Sequence, residues 1–276
     1  MWLAAALITG LFFGMNNSLF KWSSTRGLSK INIQFFFYLG AFVLTAIYVL
    51  ATHSFHFTIW SVVLGALIGI LNTNGNLEMT RAFESGPASL TSPVIASNAV
   101  FPVLAAGLIF HEHILLVNWL GILFMMVSVI VIQYSPNSQH NGHHWQWLLH
   151  VTLAVLSFGI LGILMKTSSF LHVSSSDMLV AMYGGGTVYL AFKLGRDKPN
   201  RHEIRVGLVV AVLSTVAYSC YFYALQTGIA SIIFPVVSLN CVIVVLSGRY
   251  LFQERIRLHQ MWGIFTALVG LVLTKL

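Results

Sequence analysis

The feature that most constrains this sequence is a series of long apolar stretches separated by very few charged residues. Of its 276 residues, 57% are apolar and 8% are charged, whereas a soluble domain has roughly 45–50% apolar and about 25% charged residues. Seven acidic and fourteen basic side chains are too few to keep a protein of 30.5 kDa free of large exposed apolar patches in water. These proportions exclude a water-soluble fold and predict an integral membrane protein.

The apolar stretches are long enough for membrane-spanning helices, which need about 20 mostly apolar residues. Transmembrane barrels are built instead from short segments of alternating polarity. The third predicted span is the weakest, because its second half, NTNGNLEMTRAF, is polar enough to form a loop. With charged residues, Pro and Gly taken as boundaries, the ten predicted spans are 2–22, 32–51, 59–80, 88–110, 115–133, 147–166, 176–194, 204–224, 229–251 and 257–275.

An internal repeat divides the chain into two similar halves. A shift of 142 residues aligns 65–132 with 207–274 without a gap. The matched pairs include Gly65/Gly207, Pro93/Pro235, Asn98/Asn240 and Glu112/Glu254. Nearer the start of each half the shift becomes 145 and pairs Phe13/Phe158, Lys21/Lys166 and Tyr38/Tyr183. We therefore predict two domains, 1–137 and 138–276, with five spans each.

An odd number of spans in each half has a topological consequence. The second half must enter the bilayer from the opposite side, so the two halves form an inverted repeat. The predicted fold is an all-α integral membrane protein with ten transmembrane helices, arranged as two inverted five-helix repeats around a central cavity. Inverted repeats of this kind can expose one central site to the two faces in turn, which favours a transporter.

Three segments carry a resemblance to a known family: FFGMNNSLFK, RAFESGPASLTSPVIASNAVFPVLAAGLIFHEHI and YALQTGIASIIFPVVSLNCVIVVLSGRYLFQERI. Each half resembles one domain of the EamA type in the drug/metabolite transporter superfamily. The resemblance implies ten helices around a central cavity and secondary transport or export of small metabolites. Two positions depart from the family pattern, because Phe13 replaces the usual Trp and Gln34 replaces the usual Arg. These departures leave the substrate class open.

Polar side chains inside predicted spans are the candidates for the binding site, because polar groups in hydrocarbon need partners or water. Asn17 and Lys21 share a face of the first span, and Asn72 and Asn76 share a face of the third. Lys21 has the alternative of ending its helix and extending to the headgroups. The predicted substrate-binding residues are Asn17, Lys21, Asn72, Asn76, Asn98, Tyr218 and Asn240.

Two further sets of residues have predicted roles in transport. Pro93 and Pro235 each remove a backbone donor within a span, so they are predicted hinges, with plain helix kinks as the alternative. Glu78 is the one carboxylate expected inside the membrane, and it is the candidate for proton coupling. Its alternative is an ion pair with Arg81, three residues on. Glu112 and Glu254 follow the fourth and ninth spans, where we expect them to cap helices or pair with basic neighbours.

The sequence therefore predicts a multi-pass cell-membrane transporter for a small polar or amphipathic metabolite, such as an amino acid, a nucleoside or a sugar-like compound. The expected partners are this substrate, membrane lipid and a proton as coupling ion. The basic residues lie at the ends of apolar segments, so they fit headgroups, and no nucleic-acid partner is expected. No enzymatic motif is present, and no cofactor or metal is expected, including at the His-rich segment around His140 and His150. A receptor or interaction protein that does not transport is the alternative.

The distribution of basic residues also bears on orientation. All Lys and Arg residues except Lys166 and Lys275 fall on the same side of the predicted spans. The positive-inside rule then places both termini outside, whereas the family resemblance implies termini inside.

Overall fold

The computed structural model describes residues 1–53, 58–111, 116–133, 142–195, 198–254 and 258–273. The regular secondary structure of these residues is all helical. The 3-10 helix Ser97–Ala99 joins α4 to α5, and α10 is separated from α11 by Leu239. The α-helices are α1 (Trp2–Thr25), α2 (Lys30–Ala51), α3 (Ile59–Ser85), α4 (Ala88–Ala96), α5 (Val100–Leu108), α6 (Leu116–Gln133), α7 (Gly142–Phe170), α8 (Ser175–Ala191), α9 (Arg201–Thr227), α10 (Ala230–Ser238), α11 (Asn240–Tyr250) and α12 (Leu258–Leu273).

Six helical segments among the described residues are long and apolar enough to cross a membrane. Large apolar side chains on their outer faces, such as Leu11 and Ile47, are half exposed or more, which is stable in lipid. The prediction of a multi-pass membrane protein is confirmed. The six segments are Trp2–Thr25, Lys30–Ala51, Ala88–Leu108, Trp145–Phe170, Arg201–Thr227 and Ala230–Tyr250.

The third predicted span is one continuous helix, α3, and its polar second half does not form a loop. That half is buried: Asn72, Thr73, Asn76 and Glu78 are all less than a tenth exposed. Since α3 packs against α7 and α8, its polar side chains face protein or the cavity and not lipid. Tertiary contacts thus supply the partners that the local sequence lacks.

Side-chain caps begin several helices. Thr58 and Ser61 form a reciprocal capping box at the start of α3, and Asn200 and Glu203 form one at the start of α9. The Glu203 carboxylate also accepts hydrogen bonds from the Asn32 amide (2.9 Å) and the Ser29 backbone N–H (2.8 Å). One carboxylate therefore fixes the start of α9 against the start of α2.

Gly65 in α3 and Gly207 in α9 are equivalent in the repeat, and they make equivalent contacts across the interface between the halves. A Cβ at Gly65 would meet Ala181 Cβ (2.4 Å), Met178 O (3.1 Å) and Met182 N (3.2 Å) in α8. A Cβ at Gly207 would meet Phe36 Cβ (2.7 Å), Ile33 O (2.7 Å) and Phe37 N (3.1 Å) in α2. The contacted atoms are the same in the two sets, and the residues differ by the shift of 145 found in the sequence.

The contacts between the halves also give the relative directions of the helices. Helices α3 and α8 run parallel, because Gly65 lies against Met178 and Gly69 against Gly186. Helices α2 and α9 are also parallel. Their contacts advance from Asn32 with Glu203 to Gly40 with Ala211. Helices α1 and α9 are antiparallel, as are α3 and α7. These last contacts are Trp2 with Gly228, Thr9 with Ala217, Asn16 with Ser214, Gly75 with Phe158, Glu78 with His150, and Gly86 with Trp147.

Both halves interrupt the helix that carries the predicted hinge proline. Pro93 lies inside α4 and Pro235 inside α10, and each helix ends three residues later. Asn98 Nδ2 then donates to Ile95 O (2.7 Å), and Asn240 Nδ2 donates to Val237 O (2.9 Å). An amide that bonds a carbonyl three residues back competes with the helical ladder. The interruption is thus a shared feature of the halves, whereas a hinge motion stays a prediction.

Candidate functional site

A cavity lies between the two halves, with an empty volume of about 840 Å³ that includes space open to the outside. Helices α1, α3, α4, α7, α9, α10 and α11 provide most of its wall. Six of the seven predicted substrate-binding residues line it: Asn17, Asn72, Asn76, Asn98, Tyr218 and Asn240. The structure thus brings together side chains from distant parts of the chain.

The cavity wall follows the internal repeat. Every lining residue from the second half has its repeat equivalent in the lining from the first half. The pairs are Phe13/Phe158, Asn16/Leu161, Asn17/Gly162, Asn72/Ser214, Asn76/Tyr218, Met79/Tyr221, Ser92/Phe234, Ile95/Val237, Ala96/Ser238 and Asn98/Asn240. Equivalent positions of the two halves therefore face the same cavity.

A chain of hydrogen bonds crosses one wall. The Tyr218 hydroxyl donates to Asn72 Oδ1 (2.9 Å), and Asn76 Nδ2 lies 3.4 Å from both Asn72 Oδ1 and the Tyr38 hydroxyl. Asn72 Nδ2 has no hydrogen-bond partner among the described residues, although it is buried. The Asn72 side chain therefore accepts two hydrogen bonds through Oδ1, while its Nδ2 donates none within the described structure.

A second set of amides connects α1 to α9 and α11. Asn17 Nδ2 donates to Asn240 Oδ1 (3.3 Å), and Asn16 Nδ2 donates to Ser214 Oγ (2.8 Å). Asn16 Oδ1 is buried without a partner in the described part of the chain. Buried polar atoms without partners are uncommon, so Asn16 and Asn72 mark positions where a ligand or water completes the bonding.

The predicted substrate-binding residue Lys21 lies outside the cavity lining in this structure. Its Nζ donates to Phe83 O (2.7 Å) and Gly86 O (3.0 Å) at the carboxyl end of α3, and it lies 3.6 Å from Glu254 Oε1. The Lys21 side chain does not extend freely from the end of its helix either, because α1 continues to Thr25 and Lys21 is only 8% exposed. Lys21 satisfies helix-terminal carbonyls that would otherwise lack donors.

Glu254 completes this arrangement from the other half. Its carboxylate accepts hydrogen bonds from Ala88 N (2.8 Å) and Ser89 N (2.9 Å), the first two residues of α4. The expected helix cap is therefore present, although its helix comes from the other half of the chain. Among the described residues its cationic partner is Lys21; the basic neighbours Arg255 and Arg257 lie outside the described residues, as does Glu112.

Glu78 points away from the cavity. Its carboxylate pairs with Arg81 on the next turn of α3, which is the alternative that the sequence left open. Its other oxygen lies 2.6 Å from His150 Nδ1 on α7. His150 therefore contributes to the packing of α7 against α3. His140 and the predicted domain boundary at 137/138 lie outside the described residues.

Sequence reasoning missed several lining residues, among them Asn16, Ser92, Tyr221 and Ser238. The repeat contained a signal that finds further lining residues. A shift of 145 pairs Phe158 with Phe13, and a shift of 142 pairs Asn72 with Ser214. Among the described residues there is no group of three or more His, Cys, Asp and Glu side chains that could hold a metal ion.

Comparison with known proteins agrees with this architecture. A solved crystal structure, described only as that of a protein, has a TM-score of 0.70 at 12% identity and covers 99% of this chain and 98% of its own. The Na(+)/H(+) exchanger beta of Oncorhynchus mykiss is 21% identical over 187 residues, which are 58% of this chain and 25% of the exchanger. The chain thus spans about a quarter of the length of that curated relative.

The family comparison covers nearly the whole chain. The profile of the EamA-like transporter family matches residues 1–134 and 145–276, one match in each half. The chain therefore belongs to the EamA-like transporter family, within the drug/metabolite transporter superfamily.

Proposed function

We propose that the protein is a secondary active transporter that moves a small polar or amphipathic metabolite by alternating access. In this proposal ten transmembrane helices form two inverted five-helix repeats, 1–137 and 138–276, and the substrate binds in the cavity between them. The main observation in support of this proposal is that each cavity-lining residue of the second half has its repeat equivalent in the lining from the first half. A site on a pseudo-twofold axis is reachable from both faces when the halves exchange conformations.

The helix directions support inversion. Within a repeat of membrane-spanning helices, neighbours alternate in direction, so the third helix of one repeat opposes the second. Two repeats in the same orientation would therefore make α3 antiparallel to α8. The observed α3 and α8 run parallel, as do α2 and α9, which is the relation that inverted repeats require.

Contacts near the carboxyl end of α1 join the two halves, and alternating access has to break them. At this end Lys21 and Glu254 join the ends of α1 and α11 to the turn between α3 and α4. Nearby, the Ser18 and Ser247 hydroxyls are hydrogen-bonded at 2.9 Å. We propose that opening on this side separates these groups, while the interrupted helices at Pro93 and Pro235 bend as hinges.

The first prediction distinguishes this transporter from a receptor or interaction protein with a closed centre. In a variant that lacks Cys220 and Cys241, Asn76→Cys should react with a hydrophilic thiol reagent in membrane vesicles, because Asn76 lines the cavity. The reagent should reach the introduced thiol from both sides of the membrane as the protein changes conformation. The measurement is the labelled fraction with reagent added outside or inside.

Ala6→Cys in the same background is the matched control, since Ala6 is fully buried and does not line the cavity. It should stay unlabelled. If Asn76→Cys is as unreactive as Ala6→Cys from both sides, the cavity is not a transport pathway and the receptor alternative is favoured.

The second prediction concerns proton coupling, which we propose for Glu78 together with His150. Their contact joins α3 to α7, helices from opposite halves. We propose that a proton bound by the Glu78 carboxyl group removes its charge, weakens this contact and favours separation of the halves. The repeat equivalents of Glu78 and His150 are Cys220 and Ala5, which cannot form such a pair. The proposed coupling is therefore confined to the interface between α3 and α7. Glu78→Gln should abolish the pH dependence of uptake into proteoliposomes, while Glu84→Gln, at an exposed ion pair, should leave it intact. An unchanged pH profile in Glu78→Gln would discard the coupling role.

A further inference from the structure

The charge of the cavity limits its substrate. None of the described lining residues is acidic, basic or histidine. The nearby charged groups are already engaged, Lys21 with Glu254 and Glu78 with Arg81. A substrate with a fixed charge, or a zwitterion, would leave water for a site without a counter-charge, which costs several kcal/mol for each charge. The cavity therefore selects against amino acids, phosphates and organic cations.

Amide groups dominate the polar part of the wall. Asn16 and Asn17 of α1 line the same cavity as Asn72 and Asn76 of α3, whereas the equivalent second-half positions are Leu161, Gly162, Ser214 and Tyr218. Of the buried amide atoms, Asn72 Nδ2 offers a donor and Asn16 Oδ1 an acceptor, and neither has a partner in the described structure. A primary amide presents a donor and an acceptor side by side. A ligand that satisfies both groups must carry an acceptor for Asn72 Nδ2 and a donor for Asn16 Oδ1.

Aromatic rings form the other part of the wall. Phe13 and Tyr218 have ring centroids 4.8 Å apart, and Tyr221 packs edge-on to Phe234 at 6.0 Å. All four rings line the cavity. Aromatic side chains bind flat ring systems by stacking, which needs no charged group in the site. Tyr218 lies at the junction, because its hydroxyl donates to Asn72 while its ring packs on Phe13.

From these three observations we infer that the substrate is an uncharged planar heterocycle, such as a nucleobase or a nucleoside, with its donor–acceptor edge on the asparagines and its ring on the aromatic cluster. Such rings carry donors and acceptors on their edges, and asparagine amides bond groups of this kind on adenine in nucleic acids. This inference rests on the proposed transport function and narrows its substrate. A sugar lacks the flat face, and an amino acid carries two charges.

Thermal unfolding of the purified protein with a panel of probes tests the inference. Adenine, uracil and uridine are the planar probes, glucose is the neutral non-planar probe, and leucine is the zwitterion. A ligand present at 100 times its dissociation constant should raise the midpoint of unfolding by about 5 °C. We expect such a shift from at least one planar probe at millimolar concentration and none from glucose or leucine.

Paired variants connect the shift to the cavity. Asn72→Leu removes the unpaired donor and should abolish the shift. Asn74→Leu is the matched control on the same helix, because Asn74 donates to Ser157 (3.0 Å) outside the cavity lining and should keep the shift. Tyr221→Leu, which removes a ring but no bond to the asparagines, should reduce the apparent affinity at least tenfold.

Two results overturn the inference. One is a shift from leucine or glucose as large as from any planar probe; if Asn72→Leu removes that shift, transport stands and only the substrate class is wrong. The other is no shift from any planar probe. The labelling of Asn76→Cys then decides separately whether the transport proposal also fails.

Discussion

Replacing Lys21 with methionine should destabilise the protein by about 3 kcal/mol or more. The Lys21 and Glu254 side chains are only 10% and 11% exposed, so removal of the ammonium leaves a nearly buried carboxylate without its counter-charge. The carbonyls of Phe83 and Gly86 lose their donor at the same time. The measurement is the free energy of unfolding in detergent, obtained by denaturant titration.

Lys30→Met is the control for this prediction. Lys30 and Glu84 approach more closely, at 2.6 Å, yet their side chains are 26% and 37% exposed. Exposed ion pairs contribute between about 0 and 1 kcal/mol, so Lys30→Met should have a small effect. The double variant Lys21→Met/Glu254→Gln should recover part of the loss, because no uncompensated charge remains. If Lys21→Met and Lys30→Met lose the same free energy of unfolding, burial of the Lys21–Glu254 pair has no energetic importance.

Lys21 also shows where sequence reasoning reaches its limit. The sequence places it one turn beyond Asn17 on the same face, yet of the two only Asn17 lines the cavity in the structure. Its partners come from α3, the turn after it and the other half of the chain. Such contacts depend on how helices pack, and neither helical spacing nor hydropathy contains that information.

The repeat allowed more to be predicted. Because two similar halves share one fold, a position that lines the cavity in one half indicates its equivalent in the other. Asn98 and Asn240 were identified in this way, and Asn76 with Tyr218. The contact of His150 with Glu78 was missed, because the predicted span 147–166 contains His150 but does not show which helix it packs against.

The polar half of α3 was hard to predict for a related reason. Residues such as Asn72 and Thr73 have modest helix propensity, and their polarity is unfavourable for a helix in lipid. What stabilises them is close packing: a Cβ at Gly69 would lie 2.0 Å from Met182 O, and one at Gly185 would lie 2.7 Å from Ala66 Cα. The glycines let α3 and α8 approach until backbone touches backbone, and the polar face is then enclosed.

This close approach gives the second prediction with a large effect: Gly69→Ala should prevent α3 and α8 from packing. A methyl group 2.0 Å from a backbone carbonyl oxygen cannot be relieved by a side-chain rotation, so the helices must separate along their whole contact. We expect a loss of about 3 kcal/mol or more, opposed by the gain of about 1 kcal/mol that alanine gives over glycine within a helix. The yield of monodisperse protein and its free energy of unfolding are the measurements.

Gly10→Ala is the same substitution at a helical glycine of α1 with room for a methyl group. Its Cβ would lie 3.4 Å from Val237 O, an ordinary contact, so the variant should be as stable as the parent or slightly more so. The comparison isolates packing, because helix propensity changes identically in both variants. If Gly69→Ala is as stable as Gly10→Ala, α3 and α8 do not approach this closely. The enclosure of Asn72 and Asn76 would then need a different explanation, and with it the amide wall on which the proposed substrate class depends.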